Sequence, residues 1–177
     1  MDISKRFPTW KEITPVYAVI VLMVYGWTLS WFNYTLPGWM YFLNVNTIVG
    51  VFAYSMFTNF LESLVVALGV VLLGVILPRK WFADAFVARG SALTIFLLAL
   101  MMYIANQFNT KEYYPGALLH WSVAILAAIL IVVYFLGRVN FIRKLIELFA
   151  DRAIIFLYIS IPVSLASIVI VLIRNFF

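Results

Sequence analysis

The chain has 177 residues, 66% of them hydrophobic and 11% charged, with a net charge of +5, and its mean hydropathy is +1.08. Soluble domains carry about 45–50% apolar and about 25% charged residues, so this composition excludes a soluble globular protein and points to a polytopic membrane protein. The lack of cysteine excludes disulfides, thiolate chemistry, thioether-linked haem and cysteine-held iron–sulfur clusters.

The first fourteen residues carry Lys5, Arg6 and Lys11, with Trp10 as an interfacial aromatic. Pro15 suits the start of a helix, where its missing N–H is unpaired anyway. A first span is expected at about 15–32, with Tyr25, Trp27, Trp31 and Tyr34 crowding its far end as an aromatic belt. The run is of spanning length and no small-residue cleavage site follows it, so it reads as a retained helix rather than a cleaved signal.

Residues 33–58 admit three readings. Pro37-Gly38 is a turn signal. After it, one helix from about residue 47 to 77 would be about 46 Å long. Alternatively, a short interfacial or re-entrant segment precedes a span that begins near Asn59. The third reading makes 39–56 a span of its own with a tight turn at Thr58-Asn59, and reverses everything downstream.

The second span is set at about 57–77. Its sequence from residue 59 is NFLESLVVALGVVLLGVIL, apolar over a membrane thickness except for Glu62. A carboxylate at the centre of such a helix costs roughly 2.5–3.5 kcal/mol on insertion scales, which makes Glu62 the most informative residue in the chain. Residues 78–90 form a loop with Arg79, Lys80, Asp84 and Arg89. Within it Trp81, Phe82, Ala85 and Phe86 fall at helical spacing and predict a short interfacial helix. A third span at 91–108 leads to a polar turn at 109–115 with Lys111, and a fourth span covers 116–136. Over 138–151, Asn140, Arg143, Lys144, Glu147 and Asp151 line one helical face, and Val139, Ile142, Leu145, Ile146 and Phe149 another. This stretch is too short and too charged to span, and is expected to lie in the headgroup plane. The fifth span is about 153–173, expected to be kinked or locally broken around Pro162.

Orientation follows from the cations. Five spans put Lys5, Arg6, Lys11, Arg79, Lys80, Arg89, Arg138, Arg143, Lys144 and Arg152 on one side, and Lys111 and Arg174 on the other. Ten of the twelve basic residues share a side only with this span count. The expectation is therefore an all-α protein, a single transmembrane domain over 1–177. It has five membrane helices, a cytoplasmic N-terminus and an external C-terminus, in a bacterial-type plasma membrane.

The polar residues of the spans gather at the outer level: Asn59 and Glu62, Asn106 and Gln107, and His120. His120, Ala124 and Ala127 share a helical face of small residues, which would turn His120 into the bundle. An outer polar pocket built of Glu62, His120, Asn59, Asn106 and Gln107 is the candidate ligand site, with Glu62 and His120 as a possible pair. One histidine without cysteine is too few ligands for zinc, and no metal or other cofactor is expected. Ser160, Ser164 and Ser167 form a stripe that reads as helix-packing glue rather than as a nucleophile set. No catalytic residue is assigned.

Arg79, Lys80, Arg89, Arg138, Arg143, Lys144 and Arg152 make a cytoplasmic rim suited to anionic lipid headgroups. The positive charge lies in short loops beside spans, so it does not mark a nucleic-acid binder. The function expected is that of a non-catalytic membrane protein. It would be a subunit or scaffold with a protein partner or a second copy, or a binder of a lipid-like ligand in the outer leaflet. A small transporter using Glu62, and a lipid-modifying enzyme, are the alternatives.

Overall fold

The computed structural model describes residues 7–78, 80–108 and 116–176. They fold into helices without a strand among them. In chain order these are α1 (Trp10–Phe42), α2 (Val45–Ile76), α3 (Phe86–Phe108), α4 (Gly116–Leu136), α5 (Asn140–Ala153) and α6 (Ile155–Phe176). Four helical stretches are long and apolar enough to cross a membrane: Trp10–Phe42, Val45–Ile76, Ala83–Phe108, and Asn140–Phe176, which joins α5 to α6. His120–Leu136 is apolar but shorter.

The helix α1 starts earlier than the proline suggests. The Thr9 backbone N–H donates to the Glu12 carboxylate at 2.8 Å. This capping arrangement satisfies a donor that would otherwise be free. Pro15 therefore sits inside the helix, and it is buried.

The same helix also runs through Pro37-Gly38, where a turn was expected. Proline inside a helix costs about 3 kcal/mol. Three edge-on ring pairs offset that cost: Trp39 against Trp31 at 6.4 Å and against Phe32 at 5.5 Å, and Phe32 against Phe52 at 5.2 Å. Such pairs contribute about 0.5–1.5 kcal/mol each. The chain turns instead at Leu43 and Asn44, and α2 is continuous through Thr58 and Asn59. Of the three readings of 33–58, the single long second helix is the one observed, and the boundary at 57 moves back to Val45.

Central to the fold is α1, which touches α2, α3, α5 and α6. Most of its segment 15–25 is buried, with Ala18, Val19 and Ile20 at 0% exposure. Gly90 of α3 sets the register of the three-helix junction. A Cβ there would meet Val16 at 3.2 Å and Val70 at 3.3 Å, so its absence lets α1, α2 and α3 converge.

Residues 81–86 do not form a separate interfacial helix. A 3-10 turn at Ala83–Ala85 leads directly into α3, and Phe82 and Phe86 are buried against Gly74 of α2. The α5 helix rests on α1 and α3, with Ala150 and Ala153 buried at the contact. Phe141, Leu145, Leu148 and Phe149 are left exposed on it. At the hairpin end, the Arg174 side chain of α6 covers Gly50 of α2, and the Tyr54 hydroxyl donates to Asn175 Oδ1 at 3.0 Å.

Candidate functional site

Two seams flank α1, and they treat polar groups differently. On the α6 side, Tyr25 and Ser164 share a hydrogen bond between their hydroxyls. Ser164 Oγ also donates to the Ser160 carbonyl at 2.6 Å, and the Tyr25 hydroxyl reaches the Met56 carbonyl at 3.5 Å. Ser160, Ser164 and Ser167 are all buried, as packing glue should be. Beside them lies a cavity of about 280 Å³ lined by Val21, Leu29, Phe52, Met56, Phe156 and others, with Tyr25 the only ionisable group among the described residues that line it.

On the α3 side the seam is open. A groove of about 290 Å³ is lined by Val24, Trp27, Thr28, Glu62, Leu98, Met101, Met102 and Ala105. It continues past Trp27 and Ala105 into a second hollow of about 220 Å³ that adds Trp31 and Asn106. Glu62 is exposed and, among the described residues, has neither a hydrogen-bond nor an ion-pair partner. Behind it, Thr28 Oγ1 donates to Asn59 Oδ1 at 2.9 Å. Asn59 is 4% exposed, yet its Nδ2 has no partner, in a position where an unpaired donor costs about 1–3 kcal/mol.

The structure therefore gathers three of the five predicted ligand residues. Glu62 and Asn106 line the groove and its continuation, and Asn59 stands behind it through Thr28. Gln107 is exposed and lines neither hollow. His120 does not join them. It is exposed on α4, and its Nδ1 lies 2.9 Å from the carbonyl of Gly116 in its own helix. The small-residue face expected to turn it inward is itself exposed, because α4 contacts its neighbours through Ile129, Leu130 and Val133. No Glu62–His120 pair exists. Among the described residues, no three His, Asp or Glu side chains gather as a metal site would need.

Sequence reasoning missed Trp27, Thr28, Met101 and Met102 as groove residues. The i, i+4 spacing of Trp27 and Trp31 was the available signal, and it reads equally as an aromatic belt.

The basic rim is less uniform than expected. Arg79 lies outside the described residues, as do Lys5, Arg6 and Lys111. Lys80, Arg138, Lys144 and Arg152 are exposed. Arg143 is engaged by Glu147 at 2.8 Å. Arg89 is drawn inward to 5% exposure. It donates from Nη1 to the Lys80 carbonyl at 3.1 Å, lies 5.4 Å from the Tyr134 ring centre, and occupies the space that a Cβ on Gly137 would need. Arg138 lies over the same ring at 5.0 Å, with Trp81 stacked on it at 5.0 Å.

No protein-family profile, no curated protein and no solved structure matches the chain.

Proposed function

We propose that this is a non-catalytic integral membrane protein that holds a lipid-like ligand in the groove between α1, α2 and α3. In this reading α4, at 21 residues and about 31 Å, is a fifth membrane helix. The N-terminus is cytoplasmic, the α1–α2 turn and the C-terminal end of α6 are external, and the whole is one transmembrane domain in a bacterial-type plasma membrane. Counting about 30 Å of hydrocarbon up α2 from Ile76 reaches roughly Met56. Glu62 then lies one to two turns below the outer boundary.

The observation that carries the proposal is the polarity of the groove. Trp31 and Asn106 stand at its hairpin end, Trp27, Thr28 and Glu62 in the middle, and Val24, Leu98 and Met102 deepest. Polar groups at the outer and middle levels above apolar ones suit an outer-leaflet lipid, with its polar end reaching Glu62 and its chain below.

On the opposite side, α5 lies in the headgroup plane. Its exposed Phe141, Leu145, Leu148 and Phe149 enter the membrane, and Lys80, Arg138, Lys144 and Arg152 meet anionic lipid, at about 1 kcal/mol per cation near the surface. His120, exposed on α4, would give a protein partner or a second copy of the chain a polar anchor.

Two measurements test the reading. A cysteine at Tyr41 should react with a membrane-impermeant thiol reagent added outside intact cells, and one at Lys144 should not; the reverse pattern sinks the topology. Ala105→Trp fills the groove from α3. It should abolish the lipid that co-purifies in mild detergent, as counted by native mass spectrometry, and leave the thermal midpoint unchanged. Undiminished lipid would show that the groove is not the site. Glu62-dependent ion flux in vesicles would favour a transporter instead, and headgroup turnover an enzyme.

A further inference from the structure

We infer that the groove selects ligands whose polar end carries an ammonium group, and a primary ammonium best of all. The inference rests on the groove-binding reading and specifies its ligand.

The first argument is charge. Among the described residues, Glu62 is the only ionisable side chain lining the groove or its continuation, and none of those lining either hollow is a cation. A carboxylate brought under an apolar chain without a counter-charge is strongly disfavoured. A ligand that covers Glu62 must therefore supply the positive charge, and an anionic headgroup would add a like-charge repulsion.

The second argument is hydrogen-bond polarity. The one proton of the Thr28 hydroxyl is given to Asn59 Oδ1. What Thr28 has left for the groove is lone pairs. Glu62 as a carboxylate is also acceptor-only. At Thr28 and Glu62 the groove thus offers acceptors, which match the N–H donors of a primary ammonium.

The third argument is the walls. Trp27 lines both hollows and Trp31 the outer one. Indole faces attract organic cations by about 0.5–2 kcal/mol, depending on desolvation. A hard metal cation is a poor fit, since calcium takes six to eight oxygen ligands and magnesium an octahedral set. Glu62 and Thr28 are the oxygen donors in the deeper hollow, whose other lining residues are apolar or indole side chains.

The experiment uses the full chain in detergent and in nanodiscs. The probes are dioleoyl phosphatidylethanolamine, phosphatidylcholine and phosphatidylglycerol in competition, with ethanolamine and choline chlorides as soluble controls. Retention is read by native mass spectrometry. Wild type should keep phosphatidylethanolamine about tenfold over phosphatidylglycerol, with phosphatidylcholine between. Glu62→Gln should level the three while still holding lipid, because the chain end of the groove is intact.

If ethanolamine alone binds in a Glu62-dependent way and no lipid preference appears, the ammonium inference stands with a free amine as its source. If all three lipids are kept equally by wild type and Ala105→Trp removes them, the groove reading survives and the ammonium inference falls. The groove reading itself fails if Ala105→Trp leaves retention unchanged. Thr28→Val separates the donor argument from charge: it should reduce the preference for ethanolamine over choline headgroups while both still exceed glycerol. No change in that ratio would overturn the assignment of a primary ammonium.

Discussion

Tyr25 and Thr28 lie within one turn of α1, yet their hydroxyls meet different surroundings. Tyr25 faces α6, where its hydroxyl and those of Ser160 and Ser164 are hydrogen-bonded within the chain. Thr28 faces the groove, beside a carboxylate with no partner among the described residues and an amide with a stranded Nδ2. The difference separates polarity that holds helices together from polarity kept available. In a membrane, interhelical hydrogen bonds average only about 0.6 kcal/mol, because the unfolded chain also finds partners. Thus a closed seam contributes mainly fit, and an open one persists at a cost in stability.

The largest effect that would test this contrast is on the closed side. Ser164 is 1% exposed, so Ser164→Leu overpacks the seam and removes the partner of Tyr25. It should cost about 2–4 kcal/mol, measured as the shift of the unfolding midpoint in mixed micelles; a loss below 1 kcal/mol would mean the seam is not closed. Tyr25→Phe keeps the ring and leaves Ser164 bonded to Ser160. The expected cost is about 1 kcal/mol by the same measurement.

On the open side the effects should be small. For Asn59→Leu, losing the Thr28 bond and removing the orphaned amide work against each other, and the net change should stay within about 1 kcal/mol. Glu62→Gln should shift stability by no more than about 0.5 kcal/mol while it levels headgroup selectivity. Equal destabilisation by Glu62→Gln and Ser164→Leu would erase the distinction between the seams.

The helical class and the approximate apolar stretches were legible because composition and the 3.6-residue period report them directly. Helix ends were not. Pro37-Gly38 carries a strong local turn signal, and the rings that override it include Phe52, which only the α1–α2 pairing brings near. The direction of His120 was misread for a similar reason. Ala124 and Ala127 mark a face where helices can approach closely, but whether one does depends on neighbours, and α4 is held through its larger aliphatic residues. Glu62 was visible as an anomaly of cost. Its groove was not, since Trp27 and Ala105 meet only once Gly90 has fixed the register of α1 against α3.

The bond between Tyr25 and Ser164 joins residues 139 positions apart, and this has a consequence in time. At about 5–20 residues per second of synthesis, α1 waits on the order of ten seconds before α6 emerges. During that interval Tyr25 has only the long contact to the Met56 carbonyl, and the wall that Phe156, Ile159 and Val163 will supply is missing. The early helices are thus inserted with a vacant berth for the last one. A chain whose synthesis stalls before residue 155 exposes that berth to any other helix in the bilayer. The interval between first and last helix is where this protein is most open to mispairing and to membrane quality control.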